Sequence, residues 1–266
     1  MQLRYITCSD PREFNDIHDI VDLAKLSSRV EIAVQAHPSK MSHGMPRNEW
    51  FRELLDYVIT DKININLAVH VNNEWCKHIC STGEIPTELS DIFDLCYDDD
   101  KNRPVVKRWQ LNMSENAAKG IKYGKLKRLF NSNSNKEFIV GQNMNTRLAA
   151  GKLHDMGARF SLLYDTSGGR GLSPAIWTVP LYPNVAQGYA GGLSPENVCE
   201  NLTRIARVAV LPNVRYDEKH KPVYSLQERR DIWIDAEGKL KTDDKFDIAR
   251  AKKYILNAES WLKRQR

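Results

Sequence analysis

The stretch Gly188-Tyr-Ala-Gly-Gly-Leu-Ser-Pro-Glu-Asn-Val198 changes character twice within a few residues. Small strand-like residues run into a Gly-Gly turn, and Ser194 and Pro195 then open a helix. Serine at a helix start takes up an unpaired backbone N–H, and proline in the first turn gives up a donor that had no partner. Glycines let a backbone approach a ligand closely, and a helix start favours an anion. The spacing predicts a phosphate-binding strand–turn–helix at Gly191 and Gly192.

Similar units recur on both sides. Apolar runs read as strands over Leu3–Cys8, Val30–Ala36, Ile63–Val71, Val105–Leu111, Glu137–Gln142, Arg159–Asp165, Val185–Ala190 and Ile232–Ala236. Helical patterns follow most of them. The first is expected from Pro11 to Leu26, with Asp10 as its cap and Glu13 completing a capping box. Others are expected near Asn48–Ile59, to about Cys96, over Ser114–Phe130, to Met156, over Pro195–Val208 and over Asp244–Lys263. Alternation of this kind means parallel strands joined by right-handed crossovers. Eight units within 266 residues predict an α/β fold, a single (β/α)8 TIM barrel with an eight-stranded parallel sheet. It spans 1–266 as one domain, with inserts at about 72–104 and 212–230. The rival is an open doubly wound sheet, but that fold carries its glycine signature after the first strand. Here the Gly-Gly turn comes seventh, where barrels keep phosphate.

Composition narrows the function classes. The chain is 41% hydrophobic and 27% charged, with a net charge of +5, which suits a globular protein with a large core. No basic stripe with interleaved aromatics marks a nucleic-acid partner, and no apolar run approaches a membrane span. The five cysteines, Cys8, Cys76, Cys80, Cys96 and Cys199, are odd in number and irregularly spaced. They form neither a disulfide framework nor a zinc set, so a cytoplasmic protein without metal or cofactor is expected. The oligomeric state is not encoded in any pattern found.

Barrel sites lie at the C-terminal strand ends. Those ends carry Cys8; Gln35 and His37; His70 and Asn72; Gln110 and Asn112; Gln142 and Asn143; Asp165; Gly191 and Gly192; and Asp235 with Glu237. Strand ends meet water and are often polar, yet so many hydrogen-bonding groups in one ring favour a site. Cys8 precedes the expected helix start, which would stabilise a thiolate fit to act as base or nucleophile. Asp165 ends an apolar strand, which raises a carboxyl pKa and suits an acid. The loop Thr166-Ser-Gly-Gly-Arg-Gly171 offers Gly168, Gly169 and Arg170 to an anionic substrate.

Together these pieces resemble the phosphoribosylanthranilate isomerases of tryptophan biosynthesis, in chain order and over most of the length. The resemblance rests on Tyr5-Ile-Thr-Cys8, Leu162-Leu-Tyr-Asp165-Thr with Gly168-Gly-Arg-Gly171, Gly191-Gly-Leu-Ser-Pro-Glu-Asn-Val198 and Ile234-Asp-Ala-Glu-Gly238. It implies an Amadori rearrangement of a small phosphorylated sugar. Cys8 would be the general base, and Asp165 the general acid that opens the furanose. Phosphate would sit at Gly191, Gly192 and the turn Ala236-Glu237-Gly238, and Arg47 and Gln110 would contact the substrate. The chain departs from the family at Ser9, which replaces a glycine, in the long 37–47 loop, where Arg47 or Lys40 would replace the substrate-gripping arginine, and at Glu237, whose charge opposes phosphate unless it is turned away. Other readings are an epimerase using His37, His70 and Asp235 around a metal, an aldolase using Lys107, or a barrel that binds a phosphorylated ligand without catalysis.

Overall fold

A computed structural model describes residues 2–38, 48–97, 103–143, 146–165, 171–182, 184–209, 213–216, 222–225 and 231–265. Eight strands close into a parallel barrel: β1 (Gln2–Ser9), β2 (Val30–Ala36), β3 (Asn66–Val71), β4 (Val106–Leu111), β5 (Glu137–Gln142), β6 (Ser161–Tyr164), β7 (Gln187–Ala190) and β10 (Asp231–Ala236). Closure comes from β1 pairing with β10, where Thr7 lies opposite Asp235 and Cys8 opposite Ala236. The expected barrel is therefore present.

The outer layer holds α1 (Ile17–Lys25), α2 (Asn48–Thr60), α3 (Asn73–Thr82), α4 (Thr87–Asp94), α5 (Glu115–Lys119), α6 (Tyr123–Ser132), α7 (Arg147–Asp155), α8 (Val198–Ala209) and α9 (Ile248–Lys263). The region 72–104, read as an insert, thus carries two helices. The expected helix over Ser114–Phe130 is divided, with Gly120 as the C-cap of α5. No helix follows β6 among the described residues. Pro174 and Pro180 break helical continuity there, and Trp177 instead packs edge-on against Tyr164 and Tyr189. The 212–230 insert contains an antiparallel hairpin, β8 (Asn213–Tyr216) with β9 (Pro222–Ser225). A second hairpin, β11 (Lys241–Thr242) with β12 (Lys245–Phe246), precedes α9.

The first helix corrects the sequence reading. It begins at Ile17, and its cap is Asp16, whose side chain accepts from the His18 amide at 2.7 Å. Asp10 instead adopts φ 74°, in the left-handed region that aspartate tolerates. The chain thus turns away after β1 rather than entering a helix. No described helix is long and apolar enough to cross a membrane.

Alternate residues of each strand enter two different environments. Ile6, Cys8, Val30, Ile32 and Ile234 join the core between barrel and helices. Ile139, Leu163, Ala190 and Trp233, with Tyr5, form a separate cluster inside the barrel. Beside it lies a buried ionic group. Arg108 is 1% exposed and pairs with Glu31 at 2.6 Å and Glu137 at 3.3 Å. Thr7 donates to Glu31 at 2.7 Å, and Ser161 to Glu137 at 2.6 Å. The guanidinium also lies 4.4 Å from the Tyr5 ring centre and 4.3 Å from that of Trp233. Two carboxylates and two aromatic faces compensate a charge that could not otherwise be buried.

Candidate active site

A cavity of about 400 Å³ opens at the C-terminal ends of the strands, within the range of small-ligand sites. Asp165, Asp235, Gly191, Gly192, Gln110 and Glu237 all reach its wall, as do Ala236 and Gly238. The strand ends thus bring most of the expected ring together. Arg47, Gly168, Gly169 and Arg170 lie outside the described residues.

Cys8 is not on this wall. It is 0% exposed in the core between barrel and helices, and burial, with the charges of Asp235 and Glu31, pushes its thiol well up. The expected thiolate depended on a helix start immediately after β1, and the chain does not make one there. The inward position at this end belongs to Ser9, whose hydroxyl donates to Asp235 at 2.6 Å. The alternation of β1 carries that signal: Tyr5, Thr7 and Ser9 form one face, while Ile6 and Cys8 form the other.

Asp235 is the most strongly perturbed carboxyl on the wall. Burial raises its pKa to about 6; the Ser9 hydrogen bond opposes the rise and the charge of Asp165 adds to it. His70 Nε2 lies 3.9 Å from the other oxygen of Asp235. Burial lowers the pKa of His70 to about 4, so its ring is neutral near pH 7. The cavity therefore holds a carboxyl that titrates near neutrality beside a neutral imidazole and a second aspartate. Among the described residues, no three His, Cys, Asp or Glu side chains converge as a metal set.

Next to this group, around the ends of β1 and β10, a charged chain supports the rim. Asp10 accepts from Arg12 at 2.6 Å and from Lys241 at 2.6 Å. Lys241 also reaches Glu237 at 3.2 Å. Burial works against the charge on Lys241, but Asp10 and Glu237 together carry its pKa up. The other oxygen of Glu237 accepts from Gln35 at 3.0 Å. Both carboxylate oxygens are thus engaged by chain groups, which relieves the conflict with an anion that Glu237 posed in the sequence. Asp10, Arg12 and Lys241 were absent from the expected site because they lie beyond the ends of the barrel strands, Lys241 in the short strand β11.

The Gly-Gly turn is built as a backbone feature. Gly191 has φ 113° and Gly192 φ 62°. A Cβ on Gly192 would lie 2.3 Å from Ser173 Oγ and 2.5 Å from its backbone nitrogen. Much of the close approach that glycine permits is therefore taken by the chain's own segment after β6. The following turn is capped as expected: Ser194 Oγ accepts from the Glu196 amide at 3.2 Å, and Asn197 closes back on the Ser194 amide at 2.9 Å. After β10 a short 3-10 turn, Gly238–Leu240, brings Gly238 and Lys239 to the same cavity. Turns after the seventh and eighth strands, the latter with a short extra helix, make the usual phosphate cradle of barrels.

The fold is shared with solved structures of phosphoribosylanthranilate isomerases. A monomeric variant of the Thermotoga maritima enzyme is 14% identical, with a TM-score of 0.52, covering 97% of this chain and 99% of its own. TrpF from Jonesia denitrificans is 13% identical, with a TM-score of 0.54 and coverage of 97% and 98%. A phosphoribosyl anthranilate isomerase in complex with reduced 1-(o-carboxyphenylamino)-1-deoxyribulose 5-phosphate is 13% identical, with a TM-score of 0.53 and coverage of 97% and 100%. At this identity the likeness establishes the barrel fold. No family model matches the sequence, and no curated protein matches it.

Proposed function

We propose that this barrel is a general acid–base enzyme that isomerises a small phosphorylated sugar bearing an amine substituent. The carrying observation is the pairing of Asp165 and Asp235 on one cavity wall, with Asp235 titrating near pH 6. A carboxyl that ionises near pH 6 is poised to act as a base close to neutrality. Asp165 acts as the acid, giving a proton to the sugar ring oxygen as the C–O bond opens. Asp235 acts as the base in place of Cys8, taking the proton from the carbon next to the anomeric one. As the ring opens, the amine lone pair forms a C=N bond at the anomeric carbon; the electron pair left by the departing C–H proton then gives the enolamine, and protonation of the anomeric carbon with loss of the enol O–H proton gives the ketose. Ser9 holds one oxygen of Asp235 and leaves the other toward His70.

The phosphate lies against the backbone of Gly191, Gly192 and Gly238, near Lys239. Support comes from the location of these turns and from Glu237 being held by Lys241 and Gln35. The test follows conversion of phosphoribosylanthranilate, and of its carboxamide counterpart, by loss of fluorescence. Turnover by the wild type that falls by about 100- to 10,000-fold in Asp165→Asn and in Asp235→Asn supports the assignment. Equal turnover in wild type and both variants would refute it.

A further inference from the structure

His70 stands beside the assigned base. It lies on β3, which β1 and β2 separate from β10 around the barrel. Its neighbours Val69 and Val71 join the outer core, as Ile234 and Ala236 do on β10. Strand alternation therefore sends His70 and Asp235 into the barrel, where both line the cavity. Ser9 occupies Oδ1 of Asp235 at 2.6 Å, and Oδ2 faces His70 Nε2 at 3.9 Å. That gap is too long for a hydrogen bond. Neither ring nitrogen hydrogen-bonds among the described residues, and the sealed polar atoms that lack a partner all lie on other residues. The nitrogens of His70 are thus open to the cavity that the ring lines. The gap also matches the substrate. The carbon next to the anomeric one carries both the proton that Asp235 takes and a hydroxyl. Two acceptors within hydrogen-bond reach of those two protons sit roughly 3.5–4.5 Å apart. Burial keeps the ring neutral near pH 7, outweighing Glu237, Glu31 and Asp10, which favour its charged form, while Arg108 opposes that form. A neutral imidazole offers one acceptor nitrogen.

We infer that His70 is a catalytic residue of this isomerisation, its Nε2 accepting the hydroxyl proton of the carbon that Asp235 deprotonates. The inference rests on the phosphosugar reading above and adds the group that completes the reaction. The enolamine becomes a ketone only when its hydroxyl proton leaves. His70 takes that proton as the O–H electron pair forms the C=O bond and the C=C pair takes up a proton at the anomeric carbon. The imidazolium, disfavoured by burial, then releases its proton to solvent. Asp165 regains from solvent the proton it gave to the ring oxygen. Protons balance over the cycle, and no oxidant or reductant takes part.

The test follows phosphoribosylanthranilate and its carboxamide counterpart in D₂O by NMR, with wild type, His70→Gln and His70→Phe. It reads the partition between ketose formed and deuterium entering the unreacted substrate at the carbon next to the anomeric one. Without His70, Asp235 still forms the enolamine, but its conversion stalls and it reverts to substrate. Ketose formation is expected to fall by about 100-fold or more in both variants. Deuterium is expected to enter the remaining substrate faster than ketose forms, the reverse of the wild type. If either variant fails to fold, the other still reads the partition. Wild-type turnover in both variants, or exchange and turnover falling together, overturns the inference and leaves the Asp165 and Asp235 assignment standing. A folded wild type that converts neither substrate overturns the phosphosugar reading and this inference with it.

Discussion

Replacing Asp235 by Asn is expected to stabilise the protein while removing its activity. The folded state holds the Asp235 proton up to about pH 6, against 3.8 for an unperturbed aspartate. Between those values the folded state binds more protons than the unfolded one, so stability falls as pH rises. The loss is complete above pH 6 and amounts to about 3 kcal/mol. An asparagine side chain carries no charge and can still accept from Ser9, so it escapes this cost. Urea unfolding of wild type and Asp235→Asn from pH 4 to 8 measures the difference. The variant should be more stable by up to about 3 kcal/mol at pH 7.5, with a melting temperature raised by roughly 5–10 °C. The advantage should shrink toward zero by pH 4. A charged group retained at such a cost marks a functional position. Destabilisation of Asp235→Asn by the same amount at every pH would refute the reasoning, because Asp235 would then act through packing alone.

Three further outcomes follow from the same geometry. Ser9→Ala removes the hydrogen bond that favours ionised Asp235, so the rising limb of kcat/KM against pH should move up by about one pH unit. Arg108→Met leaves Glu31 and Glu137 buried without their partner; chemical denaturation should show a loss of about 3–5 kcal/mol. Gly192→Ala meets Ser173 and a φ of 62° and should destabilise the chain, whereas Gly124→Ala, with nothing within 4 Å of the new Cβ, should stabilise it by about 0.5–1 kcal/mol. Paired melting curves check both glycines.

The alternation of apolar strands with helical patterns makes the barrel legible in the sequence, because buried parallel strands and amphipathic helices leave strong local signals. The end of β1 is harder to read. Cys8 draws attention by its chemistry and by an apparent cap at Asp10, but Asp10 turns left-handed and the real cap lies at Asp16. Asp165, Asp235 and the Gly-Gly turn are legible because they sit at strand ends, where the fold itself creates a site. The Asp10–Lys241–Glu237 chain is not, since its first two members stand more than two hundred positions apart and only barrel closure makes them neighbours. That no helix follows β6 among the described residues is foreshadowed by Pro174 and Pro180, while the hairpin in the 212–230 insert leaves no clear apolar alternation.

The most direct test of Asp235 as the base compares Cys8→Ala with Asp235→Asn for proton transfer, read as deuterium incorporation from D₂O into the isomerised product by NMR. Cys8→Ala is predicted to match the wild type, while Asp235→Asn falls by about 100-fold or more. Loss of incorporation in Cys8→Ala with Asp235→Asn unaffected would contradict this assignment, returning the base to the thiol that the structure buries behind the barrel wall.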